Sequence, residues 1–194
     1  MGKGRFEAFS DGVFAIIITI MVLELKDPHG EDFDALKPLL PVFMSYVLSF
    51  TYVGIYWNNH HHMLHTVKKV TGGMLWANLY LLFWLSLLPF ATGWMGENHL
   101  APMPSAAYGF VLLMAAIAYW ILQSLIIRTQ GADSVLHRAV GGDWKGKLSP
   151  LMYLIGIVLT FWSQLATQLI YFAVALIWLI PDRRIEHQLA NEPT

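Results

Sequence analysis

An uninterrupted apolar run from Val13 to Leu23 follows a polar head made of Arg5 and Phe9-Ser10-Asp11-Gly12. This predicts a first helix over about 6–25 that carries an Arg and an Asp into a hydrophobic layer. Ionisable groups inside a membrane cost several kcal/mol unless paired or hydrated, so they mark functional-site candidates. Further apolar stretches predict helices over about 39–60, 74–94 and 105–127. Pro89 is expected to kink the third, because its ring removes an N–H from the helix ladder. The last stretch, Leu148 to Ile180, would be roughly 50 Å long as one helix, against a hydrocarbon core of about 30 Å. It must break, and Ser163, Gln164, Thr167 and Gln168 mark a hairpin between helices over 148–163 and 167–180.

Six spans put both termini on one side. Lys3, Arg5, Lys68, Lys69, Arg128, Arg138, Lys145, Lys147, Arg183 and Arg184 fall on that side, and only Lys26 and Lys37 on the other. The Lys/Arg bias of loops sets orientation, so the termini are expected in the cytoplasm. The outer side collects Glu24, Asp27, Glu31, Asp32, Asp34 and Glu97. The longest connection, Arg128 to Lys147, has Gly131, Gly141 and Gly142 and an interfacial turn around Val135-Leu136, but no room for a soluble domain. Trp57, Trp94, Trp144 and Tyr108 fall near span boundaries, where aromatic rings anchor at headgroup depth.

Composition agrees with this pattern. Hydrophobic residues make up 56% of the chain and charged residues 13%, where a soluble domain carries roughly a quarter charged. The expected class is an all-α polytopic membrane protein, one six-helix unit over residues 1–194. Membrane lipid is its implied surroundings, and nothing points to nucleic acid. Cys is absent, which excludes disulfides, thiolate metal sites and thioether or thioester lipid anchors. Asp11 interrupts any signal-peptide pattern, and Leu23-Glu24-Leu25-Lys26 is no small-residue cleavage site, so the first helix reads as a retained span. The chain shows no internal duplication. Any pore symmetry must come from oligomerisation.

At about 100° per residue, Gly12, Ile16, Thr19 and Leu23 fall within roughly 60° of one another. Asp11 lies about 100° from the centre of that stripe, so it must face a neighbouring helix if the stripe faces an axis. Copies of Ile16 and Leu23 around an axis would make apolar rings, and such constrictions gate by dewetting. Thr19 would place a hydroxyl ring between them. The alternative is that the stripe faces lipid or other helices of the same unit.

The motif Arg5-x-x-x-Phe9-Ser10-Asp11, continuing through Gly12-Val13-Phe14-Ala15-Ile16, resembles the signature of the endolysosomal potassium-channel family, transmembrane protein 175, and its prokaryotic relatives. Trp57-Asn58-Asn59-His60-His61-His62 and Leu85-Ser86-Leu87-Leu88-Pro89-Phe90 extend the likeness in the same order. The resemblance implies a six-helix subunit whose first helix lines the ion path, assembled as a homotetramer in a bacterial or archaeal inner membrane. It maps the hydrophobic constriction onto Ile16 and Leu23, with Thr19 between them. Gly12, Ile20 and Glu24 are further lining candidates, and Glu24 with the acidic first loop would concentrate cations at the outer mouth. Arg5, Phe9, Ser10 and Asp11 resemble the family's inter-helix fastening, with His61, Trp57 and Asn78 as candidate partners. A simple snorkelling role for Arg5 toward anionic lipid stays open. The implied activity is passive conduction of potassium and other monovalent cations, with no cofactor and no enzymatic reaction. The chain lacks a Thr-Val-Gly-Tyr-Gly carbonyl filter, so selectivity must arise at the first-helix rings.

His60, His61, His62 and His65 invite a metal reading. No His-Glu-x-x-His pattern accompanies them and no metal site is expected; one His bonding the Ser10-Asp11 region fits better. A secondary or proton-coupled transporter would need breaks in corresponding halves, and Pro89 is the clear mid-span break here. A purely structural assembly protein is the remaining alternative.

Overall fold

The structure is a computed structural model that describes residues 2–131, 134–141 and 143–179, and among these every regular element is helical. Helix α1 spans Lys3–Leu23. A 3₁₀ helix, Phe33–Leu39, leads directly into α2, Leu40–His65. Helices α3 (Gly72–Ser86) and α4 (Leu88–Glu97) follow, then α5 (Pro102–Gln130), the short α6 (Val135–Val140), α7 (Trp144–Leu159) and α8 (Gln164–Leu179).

Local chemistry explains the boundaries. Thr71 caps α3 by accepting from the Met74 N–H at 3.4 Å, and Asp143 caps α7 by accepting from the Gly146 N–H at 3.1 Å. Such caps satisfy backbone donors that the first turn leaves orphaned. Pro41 and Pro89 stand in the first turns of α2 and α4, where a missing N–H removes no intrahelical bond. The expected kink at Pro89 is a break at Leu87 between α3 and α4. The expected terminal hairpin turns over Thr160–Ser163, and Thr167 Oγ1 donates back across it to the Gly156 carbonyl at 3.2 Å.

Four helical stretches are long and apolar enough to cross a membrane: Lys3–Leu23, Phe33–His65, Gly72–Glu97 and Pro102–Gln130. The last two helices, α7 and α8, have 16 residues each, about 24 Å of length. Contacts between distant residues define the two ends of the bundle. At one end Lys3 Nζ donates to the His65 carbonyl at 2.6 Å, and the Lys68 N–H donates to Gln130 Oε1 at 3.2 Å. At the other, Lys26 pairs with Glu97, and Thr160 Oγ1 donates to the Pro102 carbonyl at 3.3 Å. The alternating helices gather Lys3, Arg5, Lys68, Lys69, Arg128, Arg138, Lys145 and Lys147 at the first end. Ile180, Arg183 and Arg184 lie outside the described residues.

Tyr171 of α8 locks the second half of the bundle. Its hydroxyl donates to the Ser105 carbonyl at 3.1 Å, and its own carbonyl accepts from the Tyr52 hydroxyl at 2.6 Å. Its ring lies in a slot made by two glycines. A Cβ on Gly109 would stand 1.9 Å from the Tyr171 hydroxyl oxygen, and one on Gly156 2.6 Å from its ring. Tyr108 corrects the expectation of a boundary anchor: it is fully buried, linked hydroxyl to hydroxyl with Ser49 at 3.0 Å and through it to Thr92 at 2.7 Å. An isolated phenol has no reason to bury, but one in a satisfied hydroxyl chain does.

Candidate functional site

Helix α1 has two unlike faces. Phe6, Ser10, Phe14, Ile17 and Met21 recur at helical spacing and are buried to 2% exposure or less, packed on α2, α3 and α4. Gly12, Ile16, Thr19 and Leu23 lie nearly opposite. Ile16 is 59% exposed and Leu23 76%, with Ile20 on the flank at 43%. Thr19 is exposed too, and its hydroxyl donates to the Ala15 carbonyl at 2.9 Å. That spends the one proton inward on the helix and leaves the oxygen lone pairs facing outward, the polarity a cation needs.

The buried face carries the fastening. Asn78 of α3 donates through Nδ2 to Ser10 Oγ at 2.9 Å, and Ser10 Oγ donates to the Phe6 carbonyl at 3.1 Å. The other end of the same amide, Oδ1, lies 2.7 Å from His60 Nε2 on α2. Since the amide oxygen only accepts, that histidine nitrogen carries the proton. The His60 ring also packs on Phe14 at 5.5 Å between centroids. Asp11, at the edge of this face, accepts from the Trp57 indole N–H at 3.0 Å. One helix turn of α1 is thus tied to both α2 and α3.

Two of the residues expected in this network stand elsewhere. His61 makes no bond to Ser10 or Asp11; it stacks on the Trp57 ring at 6.2 Å and faces His62 and His65. His60 takes the place expected for it. The signal was available, since His60 continues the buried stripe of α2 through Tyr52, Tyr56 and Met63, and His61 falls off that stripe. Arg5 is exposed and lies about 120° around the helix from Asp11, so within one copy the two are not brought together. It shares the face of Ile16. Phe9 is 49% exposed on the edge of that face.

At the far end of α1 a groove of about 400 Å³ runs between Ile20 and Glu24 on one side and Pro89, Phe90, Gly93 and Trp94 on the other. The carboxylate of Glu24 lies over Gly93, where a Cβ would meet it at 3.6 Å, an ordinary van der Waals contact. Glu97 borders the groove and holds Lys26 in an ion pair just beyond the end of α1. The hydrogen bond to Glu97, then its charge, raise the Lys26 pKa above the ordinary lysine value. Lys26 was placed on this side by sequence but not assigned a partner, because sequence does not reveal a contact 71 residues away.

Comparison with known proteins places this geometry. The family model for the endosomal/lysosomal potassium channel TMEM175 matches residues 5–89. A potassium channel of Chryseobacterium sp. (strain P1-3) is 57% identical over 97% of this chain and 98% of its own length. The human endosomal/lysosomal proton channel TMEM175 is 36% identical over 72% of this chain and 29% of its own. The crystal structure of a lysosomal potassium-selective channel TMEM175 homologue from Chamaesiphon minutus superposes with a TM-score of 0.80 at 28% identity, covering 93% of this chain and 97% of that one.

Proposed function

The chain belongs to the TMEM175 potassium-channel family, and we propose that four copies surround an axis with α1 of each lining the ion path. It is a multi-pass membrane protein, a potassium channel and not an enzyme. One observation carries the pore reading: α1 buries one face completely yet leaves the apolar Ile16 and Leu23 uncovered on the other. The constriction is formed by rings of Ile16 and Leu23, which close the path by dewetting. Thr19 between them offers oxygen lone pairs to a partly dehydrated cation, and Gly12, Ile20 and Glu24 line or flank the path. Arg5 stands on the same face at the inner mouth. Conduction is passive. Six helices cross the membrane, α3 and α4 together making one crossing and α7 and α8 one each, with both termini in the cytoplasm.

The network of Ser10, Asp11, Trp57, His60 and Asn78 holds α1 in register so that its uncovered face points to the axis. A polar network in an apolar medium fixes register even where its net stabilisation is small. The absence of native Cys makes the test clean: single Cys residues at positions 16, 19 and 23 are exposed to a charged thiol reagent while current is recorded. Block at Thr19→Cys, with none at Phe14→Cys on the buried face, is expected. Equal insensitivity at all three positions of the stripe would overturn the assignment.

A further inference from the structure

The groove of about 400 Å³ beside the far end of α1 has none of Ile16, Thr19 and Leu23 in its walls, so the constriction leaves it unassigned. Ligand sites of about 300–1,000 Å³ are mostly apolar with a few placed polar groups, and this groove has that make-up. Ile20 stands on one wall and Pro89, Phe90 and Trp94 on the other. Phe90 and Trp94 lie ring beside ring, with centroids 5.9 Å apart and planes 30° from parallel, and both stay uncovered, at 66% and 37% exposure. The apolar wall runs back from Glu97 toward the middle of the bundle, since Pro89 lies roughly 12 Å before it along α4.

The charges lie at one end only. Glu97 holds Lys26 in an ion pair, and the charge of Glu24 bears on the same ammonium. Among the described residues Glu24 itself makes no hydrogen bond and no ion pair. The rim thus carries one ammonium and two carboxylates, one of them unengaged, at the mouth of an apolar slot. An apolar helix of a second copy laid over the rings would cover them but bury the Glu24 charge unpaired, at high cost. The bilayer around the chain supplies an occupant with both parts, an apolar chain and a zwitterionic head.

We propose that this groove binds one phospholipid with a primary ammonium head, its acyl chain laid along Ile20, Pro89 and Phe90 and its ammonium on Glu24. The lipid phosphate faces Lys26, which Glu97 keeps at the rim. A primary ammonium donates hydrogen bonds to a carboxylate, and such charge-assisted bonds are the strong ones. A choline head has no N–H to give. Trp94 stands where the head meets the chain, the depth at which indole rings settle. The site lies within one subunit, so binding does not rest on the pore assignment.

The test is native mass spectrometry of the full-length protein, delipidated in detergent and titrated with phosphatidylethanolamine or with phosphatidylcholine of the same chains. Saturable retention of one phosphatidylethanolamine per subunit is expected, with phosphatidylcholine held more weakly. Glu24→Gln keeps the shape and removes the charge. It weakens phosphatidylethanolamine about three- to fivefold, the range of a partly exposed ion pair, and abolishes the preference between heads. Gly93→Leu, whose Cβ meets Glu24 only at ordinary contact, fills the groove and reduces retention of both lipids. Should Gly93→Leu fail to fold, Glu24→Gln still decides. Equal retention of the two lipids by the parent overturns the proposal. So does phosphatidylethanolamine retention unchanged in folded Glu24→Gln, which puts the lipid elsewhere. The absence of any saturable retention overturns it too, as when a neighbouring subunit fills the groove.

Discussion

Trp57 donates its indole N–H to the Asp11 carboxylate at 3.0 Å, tying the second helix to the polar head of the first. The bond lies on the flank between the buried face of α1 and the uncovered face of Ile16 and Thr19. It therefore orients the uncovered face without standing on it. That separation of fastening from lining distinguishes the expected effects of substitutions on α1.

Asp11→Ala is expected to damage assembly before permeation. It removes a charge-assisted hydrogen bond, of a kind that contributes about 1.5–3 kcal/mol. Size-exclusion chromatography with light scattering should show a reduced assembled fraction, while channels that do assemble keep the parent's ion preference. An intact Asp11→Ala assembly with altered selectivity alone would contradict the placement of Asp11.

Asn78→Leu should destabilise more than its volume suggests. The amide serves Ser10 through one end and His60 through the other, and both groups are buried. Removing it strands the His60 Nε2–H, at about 1–3 kcal/mol, while Ser10 loses an incoming bond and keeps its own to the Phe6 carbonyl. Thermal unfolding in detergent is the measurement, and His60→Phe with Asn78→Leu together should recover part of the loss, since the stranded group is removed.

Gly109→Ala and Gly156→Ala both push into the Tyr171 ring. The ring cannot retreat, because its hydroxyl is held by Ser105 and its carbonyl by Tyr52. Overpacking of this kind costs about 1–3 kcal/mol. Tyr171→Leu combined with Gly109→Ala should be less damaging than the two separate losses added, a double-mutant coupling read from unfolding midpoints.

The helices were legible in the sequence because hydrophobic runs and their polar interruptions set helix length directly. The break near Pro89 and the turn before Gln164 follow from proline chemistry and from a polar cluster in an apolar run. Ser10, Asp11 and Trp57 stand in the motifs and Asn78 outside them, and the structure hydrogen-bonds Ser10 to Asn78 and Asp11 to Trp57. His60 rather than His61 was not legible, because adjacent histidines differ only by a 100° rotation that motif reading ignores. The Lys26–Glu97 pair and the slot of Tyr171 between Gly109 and Gly156 depend on long-range packing that no local pattern encodes.

The ion pair at the outer end has a defined pH dependence. The Lys26 pKa is raised by Glu97, so the tether's contribution is fully present below the ordinary lysine value of 10.5. It is lost as pH rises through the raised value. Glu97→Gln should lower the Lys26 titration midpoint, followed by nitrogen NMR of the lysine side chain, and leave conduction at neutral pH largely unchanged.

The most direct test of the α1 pore is ion flux into liposomes holding purified protein, under a potassium and then a sodium gradient, for the parent and Ile16→Ala. Fast, non-saturating potassium flux in the parent, with larger flux and a weaker preference over sodium in Ile16→Ala, is the predicted result. Ile16→Ala and Leu23→Ala variants that both conduct like the parent, with unchanged ion preference, would contradict the account.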